Sequence, residues 1–91
     1  MTDETYNGWT NRETWAANLH ITDDPGLLEM ATESLEGIER DSFRLGETLK
    51  EWYEEITDEF GDSEGIRMMV KDVGSTWRVN WQEIAEGLLE G

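Results

Sequence analysis

Apolar residues recur at intervals of three and four along most of this chain, and the longest such stripe runs through Leu45, Leu49, Trp52, Tyr53, Ile56 and Phe60. A 3.6-residue period gathers those side chains on one face, so the spacing predicts a helix that starts at Asp41, runs about five turns and is terminated by Gly61. Upstream, Thr10-Asn11-Arg12-Glu13 has the spacing of a capping box, in which a hydroxyl and a carboxylate satisfy each other's free backbone amides. A helix is therefore expected from Asn11, with Trp15, Ala16 and Leu19 on its inner face. Asp23-Asp24-Pro25 breaks it, with Asp24 placed to cap the next helix and Pro25 its first residue. That second helix turns Leu27, Leu28, Ala31 and Leu35 inward and ends near Gly37. Ser63 is placed to cap a fourth, with Ile66, Met69, Val70 and Val73 inward and Gly74 at its end. Asn80 to Glu83 repeats the capping-box spacing, with Val79 and Ile84 placed for a hydrophobic staple and Trp81, Ile84, Ala85 and Leu88 on the buried side. Tyr6-Asn7-Gly8-Trp9 reads as a turn, and Trp77 falls in a linker. No segment sustains the two-residue alternation of a strand. The pattern predicts an all-α fold, a compact bundle of four to five short helices forming one domain over residues 1–91, with residues 1–5 frayed.

Composition refines that picture. Apolar residues are only 36% of the 91, but they include five tryptophans, so one modest core is expected and it should be Trp-rich, aromatic more than aliphatic. The absence of cysteine excludes disulfides and thiolate chemistry. No apolar run approaches the length of a membrane span, so a cytoplasmic protein with no membrane partner is expected. Acids outnumber bases 22 to 7, for a net charge of −15. Such a surface repels nucleic acid and anionic lipid, which excludes direct nucleic-acid binding. It suits concentrated salt, which screens self-repulsion, or a protein partner with a basic surface.

Candidate chemistry is sparse. His20 alone titrates near neutrality, and no nucleophile or second base stands at a recognisable spacing from it. A helix-end structural role fits it better than proton transfer, and no enzymatic activity is expected. Residues 60–71 carry Asp62, Glu64 and Gly65 at the third, fifth and sixth places of a calcium loop, but Phe60 and Lys71 occupy the first and twelfth, so neither a metal nor another cofactor is expected. Along the long helix, Glu47, Glu51, Glu55 and Glu59 stand at successive i,i+4 places with Glu54 and Asp58 beside them, an acidic ridge. Each like-charged pair costs about 0.2–0.5 kcal/mol at low salt. The ridge reads as a solvated face of a salt-adapted protein or, alternatively, as a mimic of the DNA backbone. Its charges recur every ~6 Å against one phosphate per ~3.4 Å of a DNA strand, so the imitation is thin. Among the tryptophans, Trp77 beside Arg78 is the one expected to be exposed for a partner.

The run from Tyr6 to Trp15, YNGWTNRETW, and the closing run from Val79 to Glu86, VNWQEIAE, resemble the two blocks of a family of small uncharacterised proteins found in haloarchaea, bacteria and their viruses and plasmids. The resemblance implies a mobile-element context with an accessory or counter-defence role, and with the acid excess it implies a haloarchaeal host or virus. Family members often carry an aromatic residue where His20 stands. Because each block sets a tryptophan close to a helix cap, the two are expected to pack the chain ends together. The functional alternative is a ligand groove between those ends, lined by Asn7, Asn11, Arg12 and Asn18. The combined expectation is a non-enzymatic interaction or structural module, a monomer or weak dimer, with Asn7, Asn11, Arg12 and Trp77 as candidate partner-binding residues. The alternative is a DNA-mimicking inhibitor of a basic nucleic-acid-binding protein, acting through the ridge of Glu47, Glu51, Glu54, Glu55, Asp58 and Glu59.

Overall fold

Helices in this chain start where a short polar side chain can take up backbone amides that have no partner in the first turn. In the computed structural model, which describes residues 8–38 and 41–90, α1 (Arg12–Asp23) is capped by Asn11 and α2 (Pro25–Leu35) by Asp24. Asp24 accepts from the amides of Gly26 and Leu27, and Pro25 opens the helix where its missing N–H costs nothing. Asp41 caps α3 (Ser42–Glu59) by accepting from Phe43 N. Ser63 holds the cap position of α4 (Glu64–Val73), but its side chain makes no capping bond. Gly74 ends α4 with φ +80°, a left-handed conformation that glycine adopts without strain. A single 3-10 turn (Thr76–Arg78) leads into α5 (Trp81–Glu90). The fold is an all-α bundle, and no strand occurs among the described residues.

The most extensive packing is between α3 and α5, while α1 lies against α2 and α4, and α2 against α3. At the α3–α5 crossing the two backbones meet at Gly46. A Cβ there would stand 2.6 Å from Gln82 Cγ and 2.9 Å from Gln82 N, closer than real side chains approach. Leu45, Leu49, Trp52, Tyr53 and Ile56 of α3 are buried, joined by Ile84, Ala85 and Trp81 from α5 and by Ile66, Met69 and Val73 from α4. Trp52 and Trp81 lie within the core and Trp9 and Trp15 pack against its edge. Tryptophans thus frame the core, but aliphatic side chains outnumber aromatic ones inside it. Four of the fully buried residues, Ala16, Ala17, Ala31 and Ala85, are small, and small side chains let helices approach closely.

Three side chains assigned inward by periodicity face solvent. Leu19, Phe60 and Val70 are all exposed. On α1 the buried positions are Thr14, Ala17 and Ile21 with Ala16, one residue out of step with the Trp15–Leu19 stripe. On α4 the core takes Ile66, Met69 and Val73, which leaves Val70 on the flank. Phe60 is itself the C-terminal cap of α3, with φ −109°, and Gly61 follows directly after it without the left-handed φ that Gly37 and Gly74 adopt. The expected fraying of residues 1–5 lies outside the described residues.

One core group lacks a polar partner. The Tyr53 ring stacks at a tilt on Trp81, centroids 4.9 Å apart, and its hydroxyl is buried without a hydrogen bond among the described residues. Burial pushes this phenol up to about 12, since the charged form has nothing to solvate it. A desolvated, unpaired hydroxyl costs about 1–3 kcal/mol. Tyr53→Phe is therefore expected to raise the melting temperature by several degrees in a thermal denaturation scan, and a fall would show that the hydroxyl has a favourable partner.

Candidate functional site

The two chain ends meet through a lattice of side-chain hydrogen bonds. Asn11, the cap of α1, accepts from Thr14 N and from the Thr14 hydroxyl through Oδ1, and donates from Nδ2 to the Arg78 carbonyl at 2.8 Å. Asn80 caps α5 by accepting from Glu83 N, and its own amide donates to Thr14 Oγ1 at 2.8 Å. Asn80 Nδ2 donates to Thr10 Oγ1, whose hydroxyl and backbone N–H both donate to the Glu83 carboxylate. Arg78 and Glu13 add an ion pair at 3.3 Å.

This arrangement corrects both capping-box expectations. At the first helix the cap is Asn11, because Thr10 spends its hydroxyl on Glu83, and Glu13 pairs with Arg78 instead of reaching back. At the last helix only half the box forms. Glu83 leaves the Asn80 amide to Thr14 and reaches across the interface to Thr10. Each block thus supplies groups that the other block needs, and Thr14, fully buried, is the point where both caps converge.

A second cross-link joins α1 to the end of α4. Arg12 donates to the Asp72 carbonyl at 2.9 Å and to its carboxylate at 2.7 Å, where it also meets the negative end of the helix. His20 Nε2 contacts the other carboxylate oxygen at 2.9 Å. The hydrogen bond from His20, reinforced by Arg12, holds the Asp72 carboxyl below its usual value of 3.8. Stability from this cross-link is therefore present above that value and fades as the pH falls through the lowered one. Asp72→Asn should destabilise the protein at neutral pH, and the difference from wild type should shrink as the pH is taken down past 3.8 in acid-titrated urea melts. A gap that stays constant across the titration would mean that the carboxylate charge plays no part. Sequence spacing gave His20 no partner because the Asp72 contact spans 52 positions.

The candidate contact residues therefore divide. Asn11 and Arg12 are committed to intramolecular bonds, and Asn7 lies outside the described residues. Trp77 stands 76% exposed, with the Arg78 guanidinium 5.7 Å from its ring centroid. Glu47, Glu51, Glu54, Glu55, Asp58 and Glu59 are all exposed along α3, and none forms an ion pair among the described residues. Sequence reasoning missed a shallow groove of about 370 Å³ where α3 faces the 3-10 turn and the start of α5, with Phe43, Glu47, Trp77 and Gln82 on its walls. Phe43 falls outside the inward stripe of α3, and its 60% exposure makes it, with Trp77, a second open aromatic at this place. No cluster of three or more His, Asp or Glu side chains among the described residues is placed to hold a metal ion, and no helix among them is long and apolar enough to cross a membrane.

A family of unknown function (DUF7249) has a sequence profile that matches residues 2–90. The chain belongs to that family. No curated protein and no solved structure matches it. The matched span takes in both interlocked blocks, α3 with its ridge and the groove, so the whole architecture described above lies within the DUF7249 unit. Membership brings no activity with it.

Proposed function

We propose that this DUF7249 member is a non-enzymatic, salt-adapted acidic interaction module that works in the cytoplasm and engages a protein partner carrying a basic surface. The observation that carries the reading is the α3 ridge: six carboxylates exposed together with no ion pair to a cation among the described residues, in a chain of net charge −15. Their mutual repulsion weakens as the Debye length contracts from about 10 Å at 0.1 M salt to about 3 Å at 1 M. The internal use of Asn11, Arg12 and His20 supports a fold-holding role for those groups and leaves Trp77 and the ridge as the contact surface.

The expected result is a melting temperature that climbs by several degrees as potassium chloride is raised from about 0.1 M to above 1 M, followed by scanning calorimetry. A melting temperature indifferent to salt would overturn the salt-adapted reading. Capture of partners from the native cell at its own ionic strength tests the interaction half.

The linear ridge, free of ion pairs among the described residues, also favours a second reading, a DNA-mimicking inhibitor in a haloarchaeal virus or its host. Its mark would be a tight complex with a basic DNA-binding protein that dissolves as salt rises and that free DNA displaces.

A further inference from the structure

The groove beside Trp77 and the acidic ridge are parts of one surface. Phe43, Gly46, Glu47 and Lys50 of α3 form one wall, and Trp77 and Gln82 form the other. Phe43 and Trp77 are 60% and 76% exposed, large apolar areas on a surface otherwise crowded with carboxylates. Isolated exposed aromatics are common, but two flanking a single groove have the composition of an interaction hot spot. Glu47 belongs both to the groove and to the ridge, and Glu51, Glu54 and Asp58 follow it at steps of four, three and four, which places them on one face of α3. An apolar seat therefore opens directly onto a row of carboxylates.

Resting on the reading of the ridge as a contact for a basic partner, we infer that this composite surface docks a cationic peptide segment carrying one bulky apolar anchor. The anchor enters between Phe43 and Trp77, and the segment's Lys or Arg side chains follow Glu47, Glu51, Glu54 and Asp58 along α3. Lys50 stands at the groove and Arg44 beside it on α3, no cation follows Lys50 on that helix, and Arg67 and Lys71 of α4 flank its far end beside Thr57, so the partner's positive charges belong on the carboxylate row between those two cationic borders. Salt explains why both parts are needed. In concentrated electrolyte a carboxylate row attracts only at contact range, while apolar burial is undiminished or strengthened, so the anchor supplies affinity that brine does not screen.

The test uses the full chain and two synthetic Lys-rich peptides that differ only in one residue, Leu or Ser, with affinities measured by calorimetry at about 0.1 M and about 2 M potassium chloride. The Leu peptide should bind about tenfold more tightly than the Ser peptide, and this ratio should hold or grow at the higher salt while both absolute affinities fall. Trp77→Ala should erase the ratio and leave Ser-peptide binding intact, and E54Q with D58N should weaken both peptides about equally. Circular dichroism of each variant confirms that the fold is retained. If both peptides bind alike, or Trp77→Ala leaves the ratio unchanged, the groove assignment falls and the ridge reading stands. If neither binds, both fall. Tighter binding of a Glu-rich peptide, or a Trp77-dependent dimer in sedimentation without peptide, would overturn the assignment in favour of an acidic partner or a second copy of the chain.

Discussion

Thr14→Val will lower the stability of this protein by about 2–3 kcal/mol, because it keeps the shape of the side chain and removes the one hydroxyl that both helix caps share. The hydroxyl donates to Asn11 Oδ1 at 2.7 Å and accepts from Asn80 N at 2.8 Å, and the residue has no exposed surface. Valine leaves the Asn80 amide near the start of α5 without its acceptor and takes one of the two donors from Asn11. For a domain of this size the loss corresponds to a fall in melting temperature of roughly 10–15 °C. Thr14→Ser separates the two contributions, since it keeps the hydroxyl and gives up one buried methyl group, at a cost of about 1 kcal/mol. Thermal melts in which the valine variant equals or exceeds the serine variant would show that packing, not the hydrogen bonds, matters at this position.

Gly46→Ala is expected to destabilise by about 2 kcal/mol although alanine is the better helix former. The propensity gain of about 1 kcal/mol is outweighed by overpacking, which costs up to about 3 kcal/mol where the obstacle cannot move aside. Here the obstacles include Gln82 N at 2.9 Å and Gln82 Cα at 3.1 Å, both backbone atoms in the first turn of α5. The helices would have to separate along their most extensive contact. Gly65→Ala is the matched control, since its nearest neighbour is the Ser63 hydroxyl at 3.9 Å, and it should stabilise α4 by up to about 1 kcal/mol. Denaturant midpoints that move in the same direction for both variants would refute the close approach at Gly46.

The helices themselves were legible because each carries a local cause. Asp24-Pro25 and Asp41 mark their starts by chemistry confined to the next three residues, and the run from Leu45 to Ile56 states its inward face through period alone. What was not legible depends on contacts between segments distant in sequence. Thr10 and Glu13 have capping-box spacing, yet Thr10 answers to Glu83 and Glu13 to Arg78, and no local rule distinguishes those partners. Leu19 and Val70 fit an apolar stripe but face water, because the choice among adjacent stripes is made by the neighbouring helix. Of the candidate site, the exposure of Trp77 and the ridge could be read from the linker and the acidic face. The groove could not, since it requires Phe43 and Trp77, which the crossing of α3 and α5 brings together.

The bond between Thr10 and Glu83 joins positions 73 residues apart. The ribosome emits α1, with its local Asn11 cap, long before Glu83, so the Thr10 bonds can form only once α5 is made. Cutting the gene short by one helix therefore does more than trim an end. It also takes from Thr10 the carboxylate to which its hydroxyl and backbone amide donate.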